Sequence, residues 1–94
     1  MRKIDNKSSK NVKKLQQEES EKMNIIRELR LAEQKHPNFP TDIFKQLAIM
    51  QEEAGEVTMS VNDFYFSNKS IEDVKTELRQ TAAMCIRMLI NLNE

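Results

Sequence analysis

Met50-Gln51-Glu52-Glu53-Ala54-Gly55-Glu56-Val57 decides how this chain is read. Three carboxylates fall within five residues of a segment that otherwise looks like a buried helix. Extended in both directions, its apolar residues Ile43, Leu47, Met50, Ala54, Val57 and Val61 recur at spacings of three and four, one face of a helix. Thr41 is a good N-cap and Asp42 suits the first turn, so the helix is expected to run to about Phe64. Gly55 lowers helix propensity, and a small residue there permits close approach of a neighbouring helix or a ligand.

Downstream, Tyr65–Lys69 reads as a short loop. Phe64-Tyr65-Phe66 at the helix–loop corner is expected to close the core, with base stacking as the alternative. Ser70-Ile71-Glu72-Asp73 resembles a capping box with Asp in the usual Glu position, opening a third helix to about Leu92. Its stripe is a seven-residue repeat: Ile71, Val74, Leu78, Ala82 with Cys85, Leu89, Leu92. Met84, Met88 and Thr81 lie on a neighbouring face, as core or as a subunit contact. Cys85 reads as a small buried hydrophobe.

Upstream, Val12, Leu15, Met23, Ile26, Leu29 (with Ile25) and Ala32 predict a helix from about Val12 to Lys35. The charged gap Glu18–Lys22 implies that its first turns project past the core or pack on another subunit. His36-Pro37 stops it, because a residue before proline is pushed out of the helical region. Phe39, in the stiff link Asn38-Phe39-Pro40, is expected to plug the end of the core. His36 reads as a cap on the helix dipole rather than a ligand. Residues 1–11 read as a basic, flexible arm and residues 12–94 as a single helical domain.

Composition agrees with helices. The 94 residues include one Gly and two Pro, too few for a sheet protein full of turns. Fifteen basic and fifteen acidic residues give zero net charge, hence no global case for nucleic acid or a membrane surface. The charge is uneven: six basic residues stand against Asp5 through Lys14, and nine acids against five basic residues beyond His36. One cysteine excludes an internal disulfide. No signal peptide and no apolar run near the ~20 residues of a membrane helix is visible, so a reducing cytoplasm is the expected location. The fold class expected is all-α: a bundle of three main helices with an antiparallel central hairpin, its small core completed by association of copies.

The carboxylates carry the functional reading. At about 100° per residue, Glu53 lies roughly 80° from its stripe, with Glu56 further round, while Glu77 and Gln80 lie roughly 100° and 160° from theirs in the same direction. In an antiparallel pair these offsets fall on one flank. A turn near Ser67 puts Glu56 level with Glu77 and Glu53 level with Gln80. Converging carboxylates repel, and desolvation adds to the cost. A hard divalent cation such as Mg²⁺ removes the repulsion and commonly shares its shell with substrate phosphates. The bland alternative is a solvated charged face, which is the reading for Glu52 taken alone.

These residues resemble a known family. Glu52-Glu53-x-x-Glu56 followed by Glu77-x-x-Gln80 resembles the Glu-Glu-x-x-Glu, Glu-x-x-Asp pattern of the MazG-like all-α nucleoside triphosphate pyrophosphohydrolases. Lys35-His36-Pro37-Asn38-Phe39-Pro40-Thr41-Asp42, Ile49–Val57, and Glu77-Leu78-x-Gln80-Thr81-Ala82-Ala83 with Arg87 look like a small subgroup found in bacteria and phages. The likeness spans roughly Ile26 to Asn91. It implies hydrolysis of a nucleoside triphosphate to the monophosphate and pyrophosphate. It also implies Glu53, Glu56 and Glu77 as catalytic metal ligands for Mg²⁺ (or Mn²⁺), and assembly as a homodimer or homotetramer. Glu52, Gln80 and Lys69 are the expected substrate-side residues, and Arg79 and Arg87 further candidates for phosphate. Gln80 departs from the pattern: an amide oxygen can ligate, but brings no charge and cannot act as a base. Asp73, one turn before Glu77, is a candidate replacement for that charge. Two rival readings follow: a nucleotide- or metal-binding protein without turnover, and a helical interaction protein whose acids are surface charge.

Overall fold

The computed structural model describes residues 6–92 and contains three helices. α1 is Asn6–Lys35, α2 is Ile43–Ser67 and α3 is Ile71–Asn91; no strand occurs among the described residues. The chain is all-α. None of the described helices is long and apolar enough to cross a membrane.

The helix ends follow from local chemistry. Asp42, not Thr41, caps α2: its Oδ1 accepts from the backbone N–H of Phe44 at 2.8 Å and Lys45 at 3.1 Å. α2 then runs three residues beyond Phe64, because Asn68 takes the left-handed conformation (φ 57°) that terminates a helix. Tyr65 and Phe66 therefore belong to the helix. Ser70 caps α3 by accepting from Glu72 N–H at 3.0 Å. α1 starts at Asn6, six residues inside the stretch expected to be an irregular arm; Met1–Asp5 lie outside the described residues.

α3 is the middle of the molecule. It packs along α2 as an antiparallel hairpin and also receives α1, while the α1 and α2 backbones stay apart. The core is small: Leu29, Ala83 and Met84, with Ile25, Ala32, Ile49 and Ile86 packed around them. Lys10–Ser20 are exposed throughout, so the first half of α1 projects past the bundle. The radius of gyration is 17.3 Å, against about 12 Å for a compact domain of this length.

Much of the expected core is on the surface of the single chain. In α3, Ile71, Leu78, Leu89 and Leu92 are exposed, Leu89 by 71%. Cys85 is exposed, not buried. Of the expected stripe Val74 is buried; the rest of the buried face of α3 is the adjacent one, with Ala83, Met84 and Arg87. Ile43, Val61, Phe64, Tyr65 and Phe66 are exposed too, so the aromatic corner does not close the core of one chain. Gly55 meets open space, with no heavy atom within 4 Å of an added Cβ, so no helix approaches it closely.

Polar ties hold the connections. Gln46, 1% exposed, donates Nε2 to Pro40 O at 2.8 Å and Asn91 O at 3.3 Å, joining the α1–α2 link to the end of α3. Arg87, 5% exposed, donates to the carbonyls of Ala32 and His36 at the C-terminus of α1, where a cation opposes the helix dipole. Its guanidinium stacks 4.8 Å over the Phe39 ring. Phe39 lies against Arg87 rather than in the small core, and the backbone N–H of His36 donates to Ala32 O at 2.8 Å.

Candidate functional site

The divergence of α1 from α2 opens a cleft of about 740 Å³, floored by α3 and closed at one end by the link between α1 and α2. That size suits a drug-sized or nucleotide-sized molecule. Its lining mixes apolar residues (Leu31 and Ala32 of α1, Phe39 of the link, Ile49 of α2, Met84 of α3) with the α2 acids Glu52, Glu53 and Glu56, and with Glu28 of α1 and Gln80 of α3.

Glu53 and Glu56 sit one turn apart on α2, and Glu77 meets them from α3. One carboxylate oxygen from each lies within 4.8 Å of the others, all three side chains being half-buried. The helix pairing expected from sequence brings this triad together. Oε2 of Glu77 is sealed from solvent and has no hydrogen-bond partner. Burial, then Glu56 and Glu52, pushes the Glu53 carboxyl above its ordinary range. Burial also raises Glu77, reinforced by the neighbouring carboxylates of Glu56, Glu53 and Asp73. The site therefore favours positive charge.

The donor set fits a hard cation. Oxygens on opposite sides of one Mg²⁺ stand about 4.2 Å apart, so carboxylates within 4.8 Å need only a small closing movement. An orphaned, desolvated carboxylate oxygen is costly without a partner, and a cation is one it can take.

Other expected site residues are placed differently. Glu52 is exposed on the rim of the cleft. Lys69 is not in this cleft. It lines a separate cavity of about 240 Å³ at the α2–α3 turn, with Asp63, Asp73 and Thr76, and Glu77 borders that cavity. Arg79 pairs with Glu21 of α1, Nε to Oε1 at 2.7 Å and Nη2 to Oε2 at 2.9 Å, which pulls Glu21 down to about 2. Arg87 faces the cleft but already holds the end of α1. Gln80 turns toward α1, where its Nε2 donates to Oε2 of Glu28 at 3.4 Å. Glu28 carries no motif in the sequence; its one local signal is its place next to Leu29 in the apolar row of α1.

No protein-family model, no curated protein and no solved structure matches this chain.

Proposed function

We propose that the chain is a Mg²⁺-dependent nucleoside triphosphate pyrophosphohydrolase of the MazG-like type. The observation that carries this reading is the convergence of Glu53, Glu56 and Glu77, with an unpartnered Glu77 oxygen, where Glu53 and Glu56 line a nucleotide-sized cleft and Glu77 borders the smaller cavity at the α2–α3 turn. Glu53, Glu56 and Glu77 would hold the cation, with Glu52 adding negative charge at the rim. Bound there, Mg²⁺ supplies charge neutralisation on phosphate oxygens and activation of a water. Phe39, Ile49 and Met84 in the cleft lining offer apolar surface for a base or sugar. Arg87, which lies over Phe39, fixes the α1 terminus beside this surface.

The same reading includes self-association. The α3 repeat Ile71, Leu78, Cys85, Leu89, Leu92 forms an exposed apolar stripe on a chain whose own core is small. Packing it against a second copy extends the core and fits a homodimer or homotetramer.

A second reading is favoured by one observation. Gln80 stands in the position of the fourth acid, so the chain would bind a cation or nucleotide without turnover. A pyrophosphate-release assay over ribo- and deoxyribonucleoside triphosphates, with Mg²⁺ and then Mn²⁺, tests both. Turnover that is lost in Glu53→Ala supports the hydrolase. Nucleotide binding without product supports the second reading, and neither binding nor product overturns both.

A further inference from the structure

α1 carries an apolar face that its own chain leaves open. Val12, Leu15, Met23 and Ile26 are all exposed, Leu15 by 60% and Met23 by 66%. At about 100° per residue they fall within roughly 40° of one line along the helix, roughly 110° round from Ile25, Leu29 and Ala32, which face the core. Their spacing is symmetric. Leu15 and Met23 each stand four residues from Glu19, and Val12 and Ile26 each seven. A contact between two identical copies sets residues equidistant from its two-fold axis opposite one another. We infer that α1 is a self-pairing surface. Two copies join by antiparallel packing of their α1 helices centred on Glu19, with Val12 against Ile26 and Leu15 against Met23 of the second copy.

The charges of α1 select this orientation. Lys10–Ser20 are exposed throughout, and Lys10, Lys13 and Lys14 lie toward the positive end of the helix dipole. This half of α1 therefore draws little stability from its own chain, since helices owe most of theirs to packing. Antiparallel pairing lays it along the half of the second copy where Met23 and Ile26 are open. Parallel pairing matches the same apolar residues but brings both lysine runs to one end. The centre fixes the register. Glu19 pairs with Lys22 at 3.0 Å. On the two-fold axis the two Glu19 carboxylates face one another, with a Lys22 within one turn on either side. Slipping the helices by one turn sets Glu19 against Leu15 or Met23, and a polar position inside an apolar seam specifies register in this way. The face is separate from the exposed stripe of α3 and independent of the cation site.

The test is disulfide cross-linking of the full chain in a Cys85→Ser background, so that each variant carries one cysteine. Glu19→Cys is expected to form an intermolecular disulfide roughly tenfold or more faster than Gln17→Cys, exposed on the far side of α1, because only residues near the axis come within bridging distance of themselves. Val12→Cys and Ile26→Cys are each expected to be as slow as that control alone, and to form a mixed disulfide when combined. Leu15→Glu with Met23→Glu should abolish the advantage of Glu19→Cys, and Leu89→Glu on the α3 stripe should leave it intact. Four results overturn the inference. A Glu19→Cys rate no higher than the control means that α1 does not pair with itself. Self-linking of Val12→Cys as fast as Glu19→Cys means a parallel pair. An advantage that survives Leu15→Glu with Met23→Glu, or that is lost in Leu89→Glu alone, means that another face brings the copies together. Every substituted position is exposed, and circular dichroism checks that each variant folds.

Discussion

Glu56 on α2 and Glu77 on α3 bring carboxylate oxygens within 4.8 Å of one another across the helix pair, and Oε2 of Glu77 is sealed from solvent without a donor. Two acids placed this way disfavour joint ionisation. The folded chain therefore holds the Glu77 proton to higher pH than the unfolded chain does.

A pH dependence of definite sign follows. The carboxyls of Glu53 and Glu77 are raised above 4.5 in the folded state. Between 4.5 and the raised values the folded state binds more protons than the unfolded state, so this contribution falls as pH rises through that window. Thermal melts without divalent cation should show a Tm component that decreases across it. Saturating Mg²⁺ should remove that decrease and add about 2.7 kcal/mol of stability at a hundredfold excess over Kd. A Tm with the same pH slope with and without Mg²⁺ would contradict this.

Glu77→Gln removes the repulsion and lets an amide donate to Glu56. It should raise the Tm of the cation-free protein at pH values above the raised Glu77 window, while lowering cation affinity roughly tenfold or more. A destabilised variant with native affinity would mean that Glu77 serves packing only.

The Glu21–Arg79 pair ties α1 to α3 just where its projecting first half begins, and responds to pH in the opposite sense. Glu21 is lowered to about 2 by its hydrogen bonds from Arg79 and then Asn24. Its contribution is present above 4.5 and is lost as pH falls through the folded value near 2. Arg79→Ala should speed amide exchange in the first half of α1 and leave the second half protected. The swapped pair Glu21→Arg with Arg79→Glu should recover part of the protection.

Arg87 caps α1 with a geometry that lysine cannot copy, since one planar group reaches two carbonyls and stacks on Phe39. Arg87→Lys should cost about 1–3 kcal/mol, because buried carbonyls lose their donor. Urea denaturation checks this, and a change below about 0.5 kcal/mol would place the variant among ordinary surface substitutions.

The three helices, their antiparallel hairpin and the Glu53–Glu56–Glu77 convergence were legible because each depends on short-range periodicity and one short turn. What escaped depends on α1. Apolar spacing shows that a helix has a buried face, but not whether its own chain or another copy covers it. Hence the clean α3 repeat through Cys85 was assigned to a core that Ala83, Met84 and Leu29 form instead. The angle at which α1 meets α3 is set by contacts far apart in sequence, such as Leu29 with Met84 and Arg87 with Ala32. Gln80–Glu28 and Arg79–Glu21 became visible only once that angle was fixed. Lys69 failed as a cleft residue for a simpler reason: it lies at the turn, beside Asp63 and Asp73.

The central claim, that Glu53, Glu56 and Glu77 form one cation site, is tested most directly by calorimetric titration of Mg²⁺ into the native protein and into Glu77→Gln at pH 8. The account predicts saturable binding of one ion per chain in the native protein and none at millimolar Mg²⁺ in the variant, with helicity unchanged. Absence of binding in the native protein, or identical binding in both, would contradict it.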